Sequence, residues 1–362
     1  MATNTPKLTL RQIAADAGVS VPTVSKVLNG RADVAESTRR RVTSAIRARG
    51  YASPQQRRRA ATAPALVDLV TDLLTSAYSV EVMRGIVDVA ASEGVEVVIS
   101  TLSSRQAPST DGAVWAQRLS AAGRRGLILV ASEVDATQLD ELRAHGISVV
   151  LIDPFSTPQD DVVTLGSTNW AGGRAAVDHL ISLGHRRIGY LGGPLGADCA
   201  SARLHGYHAA LADAGITADP AVIRHGPFES ATGTEGLAAL CDTGDLPTAI
   251  FAASDSIAIG VMTEAHRRGI RVPDDLSVVG FDGTPLVDQT VPRLTSVAQP
   301  LFEIGATALR TVLRLTRDEP VESMHIELAT KLVVRESTAP PRGKPRVHPA
   351  ARRSGSAPEK QA

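Results

Sequence analysis

The sequence has little cysteine and few aromatic residues, and no long apolar run interrupts it. Its two cysteines, Cys199 and Cys241, are far apart and lack a metal-type spacing, so we expect free thiols in a reducing compartment. No segment is apolar over a membrane-spanning length, and no apolar run near the amino terminus precedes a cleavage site. These absences predict a cytoplasmic protein without a metal site, a disulfide framework or a membrane contact.

The chain does contain enough apolar sequence for a core, with 43% hydrophobic and 21% charged residues among 362. A formal net charge of zero hides an uneven distribution. Residues 1–62 contain twelve Lys and Arg against three Asp and Glu, a net +9, and residues 339–362 carry a net +5. The middle of the chain is therefore acidic, at −14. A small basic head on a large acidic body is typical of a protein whose head contacts nucleic acid.

The strongest local pattern lies between residues 9 and 30 and predicts two short helices joined by a tight turn. Thr9 and Gln12 have the spacing of a capping box at the start of the first helix. Gly18 ends that helix, as a residue free to adopt a left-handed backbone does, and Ser20 is placed to cap the second. One apolar side of each helix recurs at helical spacing, formed by Ile13, Ala14 and Ala17 and by Val24, Val27 and Leu28.

The second helix leaves Val21, Pro22, Ser25 and Lys26 facing outward. This arrangement is typical of a helix-turn-helix, whose second helix enters the major groove of DNA. An ordinary packed helical hairpin is the alternative, and the surrounding basic charge argues against it. A third helix is predicted over residues 34–51, where apolar residues recur among arginines.

The head and body are joined by residues 52–64, which contain Arg57, Arg58 and Arg59 and no large apolar residue. Two interpretations are open for this segment. It is either a solvated tether or a hinge that orders only against DNA, with its arginines near phosphates or in a minor groove. At the other end of the chain, residues 339–362 combine proline, glycine and basic residues without apolar periodicity, which predicts a disordered tail.

From Leu66 onward, short apolar segments alternate with amphipathic ones. This alternation of strands and helices predicts parallel sheets covered on both faces. It restarts near residue 169, which predicts two doubly wound lobes, residues 65–166 and 169–295, with the C-terminal segment crossing between them. The predicted domains are an all-α head, a hinge, an α/β body and a tail, at residues 1–51, 52–64, 65–338 and 339–362.

Many separated motifs, in the same order, resemble the lactose-repressor/galactose-repressor (LacI/GalR) family of bacterial transcription regulators. In the head they are TLRQIAADAGVSVPTVSKVLNG and VAESTRRRVTSAIRARGY, and in the body they include HLISLGHRRIGYLGGP, IFAASDSIAIGVM and RGIRVPDDLSVVGFD. The resemblance implies a helix-turn-helix head, a hinge, and a body of two doubly wound parallel-sheet lobes like a periplasmic sugar-binding protein. It also implies a homodimer on a near-palindromic double-stranded DNA operator, controlled by a small-molecule effector and without a cofactor.

In the head, the resemblance places Val21, Pro22 and Lys26 at the positions that read bases. Lys26 can donate to guanine O6 and N7, whereas Val21 and Pro22 offer only apolar contact, for instance to a thymine methyl group. The resemblance also implies a set of residues that contact phosphates. Such contacts fix the position of the protein on the DNA and do not read its sequence. These residues are Thr9, Thr23, Ser25 and Asn29.

The linker departs from the family. Ala60 occupies the position of a leucine that wedges into the minor groove at the operator centre. Alanine has too little surface to unstack a base step, so strong central kinking of the DNA is not expected. We expect Arg57, Arg58 and Arg59 to substitute electrostatic binding, which would make operator affinity steeply salt-dependent.

In the body, nine positions correspond to family residues that line the cleft between the lobes. They are Tyr78, Ser79, Asp153, Arg203, Phe228, Ser254, Asp255, Asp282 and Gln299. Their chemistry suits a sugar, because carboxylates accept hydrogen bonds from hydroxyls, a guanidinium donates as a planar fork and an aromatic ring stacks on a pyranose face. Several of them end a predicted strand, where open α/β sheets bind ligands. Any single one could instead be a structural cap or core residue.

Two departures leave the identity of the effector open. Ser254 stands where the family often has Asn, and Gly283 follows Asp282 where a second Asp is common. The prediction is a sugar-responsive transcriptional regulator, specifically a repressor. A regulator that responds to a nucleobase or a phosphorylated metabolite as corepressor is the alternative.

An enzyme and a transport-type binding protein are the remaining rivals. The sequence LGGPLG at residues 191–196 has the wrong glycine spacing for a dinucleotide-binding loop, and the nine histidines are scattered. No catalytic residues are therefore predicted. A transport protein would need an export signal and would leave the basic head without a role.

Overall fold

The computed structural model describes residues 9–28, 31, 34–48, 66–71, 74–101, 112–156 and 161–342. By internal contacts the chain divides into two compact units, residues 1–64 and 65–362. The predicted contact residues Asn29 and Arg57–Arg59, together with Ala60 and the tail beyond residue 342, lie outside the described residues.

The described residues of the head form three helices, α1 (Leu10–Asp16), α2 (Val21–Leu28) and α3 (Glu36–Ala48). Gln12 Oε1 accepts a hydrogen bond from the Thr9 N–H at 2.8 Å, as the capping pattern predicts. Gly18 follows α1 with φ of +60°, and Ser20 Oγ accepts from the Thr23 N–H at 3.4 Å at the start of α2. The buried core that joins the three helices is small and consists of Ile13, Ala14, Ala17, Val24 and Val42. The predicted helix-turn-helix is confirmed.

As far as its residues are described, the first lobe of the body is built on a wholly parallel six-stranded sheet in the order β11-β5-β4-β3-β1-β2. Its strands are β1 (Leu66–Thr71), β2 (Glu96–Ser100), β3 (Arg124–Val130), β4 (Ser148–Ile152), β5 (Val163–Ser167) and β11 (His325–Leu328). One face packs on α4 (Ala77–Glu93) and α11 (Leu301–Thr316), and the other on α5 (Gly112–Ala121) and α6 (Ala136–Ala144).

The second lobe has six strands in the order β12-β10-β9-β8-β6-β7. They are β6 (Ile188–Gly192), β7 (Ile223–His225), β8 (Ala249–Ala252), β9 (Ser277–Asp282), β10 (Thr295–Ala298) and β12 (Lys331–Val333). Edge strand β12 runs antiparallel to β10, which alternation in the sequence did not reveal. The covering helices are α7 (Asn169–Ser182) and α8 (Asp198–Asp213) on one face and α9 (Ser230–Asp242) and α10 (Asp255–Arg267) on the other.

Three segments cross between the lobes, from β5 to α7, from β10 to α11 and from β11 to β12. Two of them meet where Thr168 Oγ1 lies 3.0 Å from Thr330 Oγ1. Helix α11 returns to the first lobe and crosses α4 at Gly85, where an added Cβ would lie 1.9 Å from the Phe302 carbonyl oxygen. The C-terminal segment therefore contributes to both lobes.

Candidate functional sites

Three strands of the body end in backbone conformations that side chains rarely adopt. Ala131 after β3, Asp153 after β4 and Asp282 at the end of β9 have φ of 46°, 42° and 117°. Such conformations cost free energy and concentrate at functional sites. All three residues line one cavity between the lobes, at the carboxyl ends of the parallel strands, where α/β sheets bind ligands.

This central cavity has a free volume of about 60 Å³. Its walls come from both lobes and combine carboxylates, a guanidinium, aromatic rings and small side chains. They are formed by Ser76, Tyr78, Ala131, Asp153, Phe155, Ala197, Cys199, Arg203, Phe228, Ser254, Ser256 and Asp282.

On the first-lobe side, Tyr78 and Asp153 form a hydrogen-bonded pair. The Tyr78 hydroxyl donates to Asp153 Oδ2 at 2.5 Å. Burial raises the pKa of Asp153, whereas the hydrogen bond from Tyr78 and the charge of Arg203 oppose that rise. Burial also raises the pKa of Tyr78 well above its ordinary value, and the Asp153 charge adds to the effect. The phenol is therefore a fixed donor that holds the carboxylate in place.

On the second-lobe side, Arg203 is almost fully buried, with 3% exposure. Its Nε donates to Asn169 Oδ1 at 2.8 Å and its Nη1 to the Ala253 carbonyl at 2.6 Å, while Nη1 lies 3.6 Å from Asp282 Oδ1. The guanidinium also stacks over Phe281, with Cζ 3.8 Å from the ring centroid. These contacts fix the guanidinium plane before any ligand arrives.

A further hydrogen-bonded chain ties Asp282 to a crossing segment. Gln299 Nε2 donates to Asp282 Oδ1 at 2.8 Å, and Ser167 Oγ donates to Gln299 Oε1 at 2.6 Å. Ser167 ends β5 of the first lobe, so this chain connects the two lobes next to the cavity. Burial raises the pKa of Asp282, against the opposing charge of Arg203.

The head presents the predicted DNA-contacting residues mainly on α2. Pro22 and Lys26 are exposed, while Val21 is half-buried and packs against the head core. Thr9 is exposed, and Thr23 and Ser25 are half-buried. An exposed lysine beside an apolar rim is a surface that can offer both a guanine donor and a thymine contact.

Two family models match the chain. "Bacterial regulatory proteins, lacI family" covers residues 9–54, and "Periplasmic binding protein-like domain" covers residues 177–338. Catabolite control protein A of Priestia megaterium is 31% identical over 334 residues, 91% of this chain and 99% of that protein. The repressor CytR of Escherichia coli K12 is 31% identical over 334 residues, 91% of this chain and 96% of that protein. The chain belongs to the LacI family.

Solved structures of family members agree with this assignment. A complex of the transcriptional regulator CelR with cellobiose superposes with a TM-score of 0.68 at 29% identity, covering 91% of this chain and all of that one. A lac repressor dimer bound to operator and an anti-inducer superposes with a TM-score of 0.68 at 28% identity, covering 92% and 99%. This LacI-family chain is therefore a DNA-binding transcriptional regulator and not an enzyme.

Six of the nine predicted effector residues of this LacI-family chain line the central cavity, and three do not. Ser79 is buried with its Oγ 3.5 Å from Thr71 Oγ1, and Gln299 lies behind Asp282. The Asp255 carboxylate accepts from the Thr284 N–H and hydroxyl at 2.8 and 3.0 Å and from the Ser296 hydroxyl at 2.6 Å. Burial and the charge of Asp282 raise the pKa of Asp255. The structure therefore places these three residues behind the cavity wall.

Other residues at the cavity were missed by sequence reasoning. Asn169 and Ser167 position Arg203 and Gln299, and Cys199 forms part of the wall. Burial raises the pKa of the Cys199 thiol to about 11, so it is a weakly polar wall group and not a thiolate. Ser167 and Asn169 flank the end of β5, so their positions after a strand were the available signal.

Within the residues the structure describes, no group of three or more His, Cys, Asp and Glu could hold a metal ion. No described helix combines the length and apolarity needed to cross a membrane.

Proposed function

We propose that this regulator is a repressor whose operator affinity is controlled by a sugar bound in the central cavity. The observation that carries the proposal is that Tyr78 and Asp153 of one lobe face Arg203 and Asp282 of the other across a single cavity. Carboxylates that accept hydrogen bonds, a donating guanidinium and an aromatic wall are the groups that recognise a polyol ring. Two carboxylates beside one guanidinium also disfavour a phosphorylated metabolite.

The proposed switch depends on groups from both lobes meeting the same ligand. A sugar that contacts both walls favours the closed arrangement, and the crossing segments transmit that preference to the first lobe, from which the linker leads to the head. Allosteric coupling is reciprocal, so operator DNA must change sugar affinity by the same factor by which sugar changes operator affinity.

Operator recognition by α2 fits a homodimer on a near-palindromic site, with Val21, Pro22 and Lys26 reading bases and Thr9, Thr23, Ser25 and Asn29 on phosphates.

Apolar side chains that could bury against a second copy occur on α4 and edge strand β2. Val80, Val87 and Ile99 are 41%, 52% and 46% exposed. We expect Val87→Asp to shift the protein to monomer in analytical ultracentrifugation. Val114→Asp, on α5 of the same lobe and 50% exposed, is the matched control.

The experiment that tests the function measures binding to promoter fragments from the protein's own genome by fluorescence anisotropy, with and without a panel of mono- and disaccharides. We expect one fragment to be preferred and one sugar to change its affinity. A protein that prefers no fragment at low ionic strength, with or without carbohydrate, would exclude the proposal. A response to a nucleobase alone would replace the sugar by the alternative effector class.

A further inference from the structure

A second space, which we call the side groove, lies beside the central cavity and has a volume of about 280 Å³. The two spaces share Asp153 and Cys199 as lining residues. The groove runs from this common wall along β5 and β11 of the first lobe, opposite the first turns of α8 in the second lobe.

The groove is open because the described helices cover only part of one face of the first-lobe sheet. In the described part of the chain, the core beneath α5 and α6 includes side chains of β1, β3 and β4 but none of β5 or β11. The small or polar residues Thr164 and Gly166 of β5 and His325 and Glu327 of β11 therefore line open space. An apolar sheet face left open would invite aggregation, whereas this one carries hydrogen-bonding groups.

The opposite wall belongs to α8, through Asp198, Cys199 and Ala202. The Asp198 N–H donates to the Phe155 carbonyl at 2.9 Å, a hydrogen bond that joins the two lobes at this wall. A ligand in the groove would therefore contact both lobes, as a ligand in the central cavity does.

The side chains of the groove suit a neutral, hydroxyl-rich ligand. Thr164 Oγ1 and His325 Nδ1 are hydrogen-bonded to each other at 2.7 Å, which leaves the second ring nitrogen of His325 and the remaining capacity of the hydroxyl for a ligand. The carboxylates of Asp198 and Glu327 have no hydrogen-bond or ion-pair partner among the residues described, so both remain available to accept from hydroxyls. They also repel an anionic ligand.

The volumes of the central cavity and the side groove also favour a ligand that occupies both. Sites for drug-sized ligands occupy roughly 300–1,000 Å³. The central cavity, at about 60 Å³, is well below that range, whereas the cavity and the groove together lie just inside its lower end. We propose that the effector is a neutral disaccharide, with one ring in the central cavity and the second in the side groove. This inference depends on the proposed sugar response.

The test compares neutral disaccharides (cellobiose, maltose, lactose and sucrose) with their constituent hexoses, by isothermal titration calorimetry on the full chain. We expect one disaccharide to bind at least about tenfold more tightly than either of its hexoses. A hexose that binds as tightly as its disaccharide would overturn this inference and leave the proposed function intact. If no carbohydrate of either size binds, both fail.

Two pairs of variants locate the second ring. Ala202→Trp fills the groove and should reduce disaccharide affinity to that of the hexose, while hexose affinity stays unchanged. Its control is Ala209→Trp, which changes a half-buried alanine of the same helix away from the groove. This control should bind both sugars as wild type does. Glu327→Ala should weaken disaccharide binding about five- to tenfold, and Glu322→Ala, before β11, should not. Equal losses for hexose and disaccharide, or no loss in either groove variant, would contradict the placement.

Discussion

The head and the body differ in where their predicted contact residues lie. The described part of the head has a core of five buried apolar residues, and the predicted contact residues within that part lie on one short helix or just before another, exposed or half-buried. Six of the nine predicted contact residues of the body line a cavity, where Arg203, Asp153 and Asp282 contact other polar groups of the protein. A DNA phosphate or base edge is reached by an exposed side chain, whereas a small polyol must be surrounded.

This difference predicts how substitutions affect the stability and the binding of each part. A surface contact in the head can be removed without disturbing its fold, whereas a polar side chain in the body is also part of the structure that holds the lobes. Mutations in the body should therefore change stability and binding together. In the head, the exposed contact residues Pro22 and Lys26 should separate from the core residues, whereas Val21 also packs against the core.

The largest effect is expected for Arg203→Ala. It leaves Asp282 and Asn169 without their partner in a buried site, which costs about 3–5 kcal/mol for comparable pairs. Differential scanning calorimetry should show a lower transition temperature for the body, and the sugar response should be lost. Arg174→Ala removes a partly exposed arginine that pairs with Asp178 and Asp213 and should cost no more than about 1 kcal/mol. An unchanged body transition in Arg203→Ala would show that the buried network is not a stabilising unit.

Next is Ile13→Ala, at the centre of the small head core. Truncating a fully buried isoleucine costs about 2–5 kcal/mol, a large share of what so small a core can supply. We expect operator affinity to collapse in anisotropy titrations, while sugar binding by the body is preserved. Ile13→Val should retain most of the affinity. Loss of sugar binding in Ile13→Ala would mean that the two units do not fold separately.

Lys26→Ala tests a contact residue of the head instead of its core. Removing a base-reading lysine should cost about 1–3 kcal/mol of operator binding and relax preference at one base pair. Affinities for a set of operators substituted at single positions measure this. Arg40→Ala, at an exposed position of α3 that pairs with Glu36, should preserve the ranking. If Lys26→Ala also preserves the ranking, Lys26 does not read a base.

The smallest expected effect is that of Tyr78→Phe. The lost hydrogen bond to the Asp153 carboxylate is worth about 1.5 kcal/mol, the low end for a charged acceptor, since Arg203 and Asn169 still stabilise that carboxylate. Because that bond lowers the pKa of Asp153, its removal raises the pKa further. Sugar binding that needs the carboxylate should then weaken on acidification at a higher pH than in wild type.

Calorimetric titrations between pH 5 and 8 measure that shift, with Tyr207→Phe as control. Tyr207 is also buried and donates to the Ile188 carbonyl at 2.8 Å, away from the central cavity. An unshifted pH profile in Tyr78→Phe would mean that Tyr78 does not tune Asp153.

Local sequence patterns predicted the helices of the head and most of their ends. Thr9, Gln12, Gly18 and Ser20 act within four residues of their partners, so the sequence alone places the helix ends. The order of strands and helices in the body was likewise readable, because burial on two faces dictates apolar strands between amphipathic helices.

The site itself was only partly predictable. Asp153 and Asp282 follow strands, and the carboxyl ends of parallel strands converge, so their meeting was expected. Whether Asp255 faces the cavity depends on where Thr284 and Ser296 lie, 29 and 41 residues further along the chain. No local pattern carries that information.

The amino-acid order alone determined the helix-turn-helix, the two doubly wound lobes and the residue types at the strand ends, because capping and hydrophobic periodicity act over a few residues. Tertiary structure decided which polar side chains form hydrogen bonds with one another and which line open space. Among the described residues it also left one face of β5 and β11 uncovered beside the cavity, because helix coverage depends on how the sheet is assembled and not on any single segment.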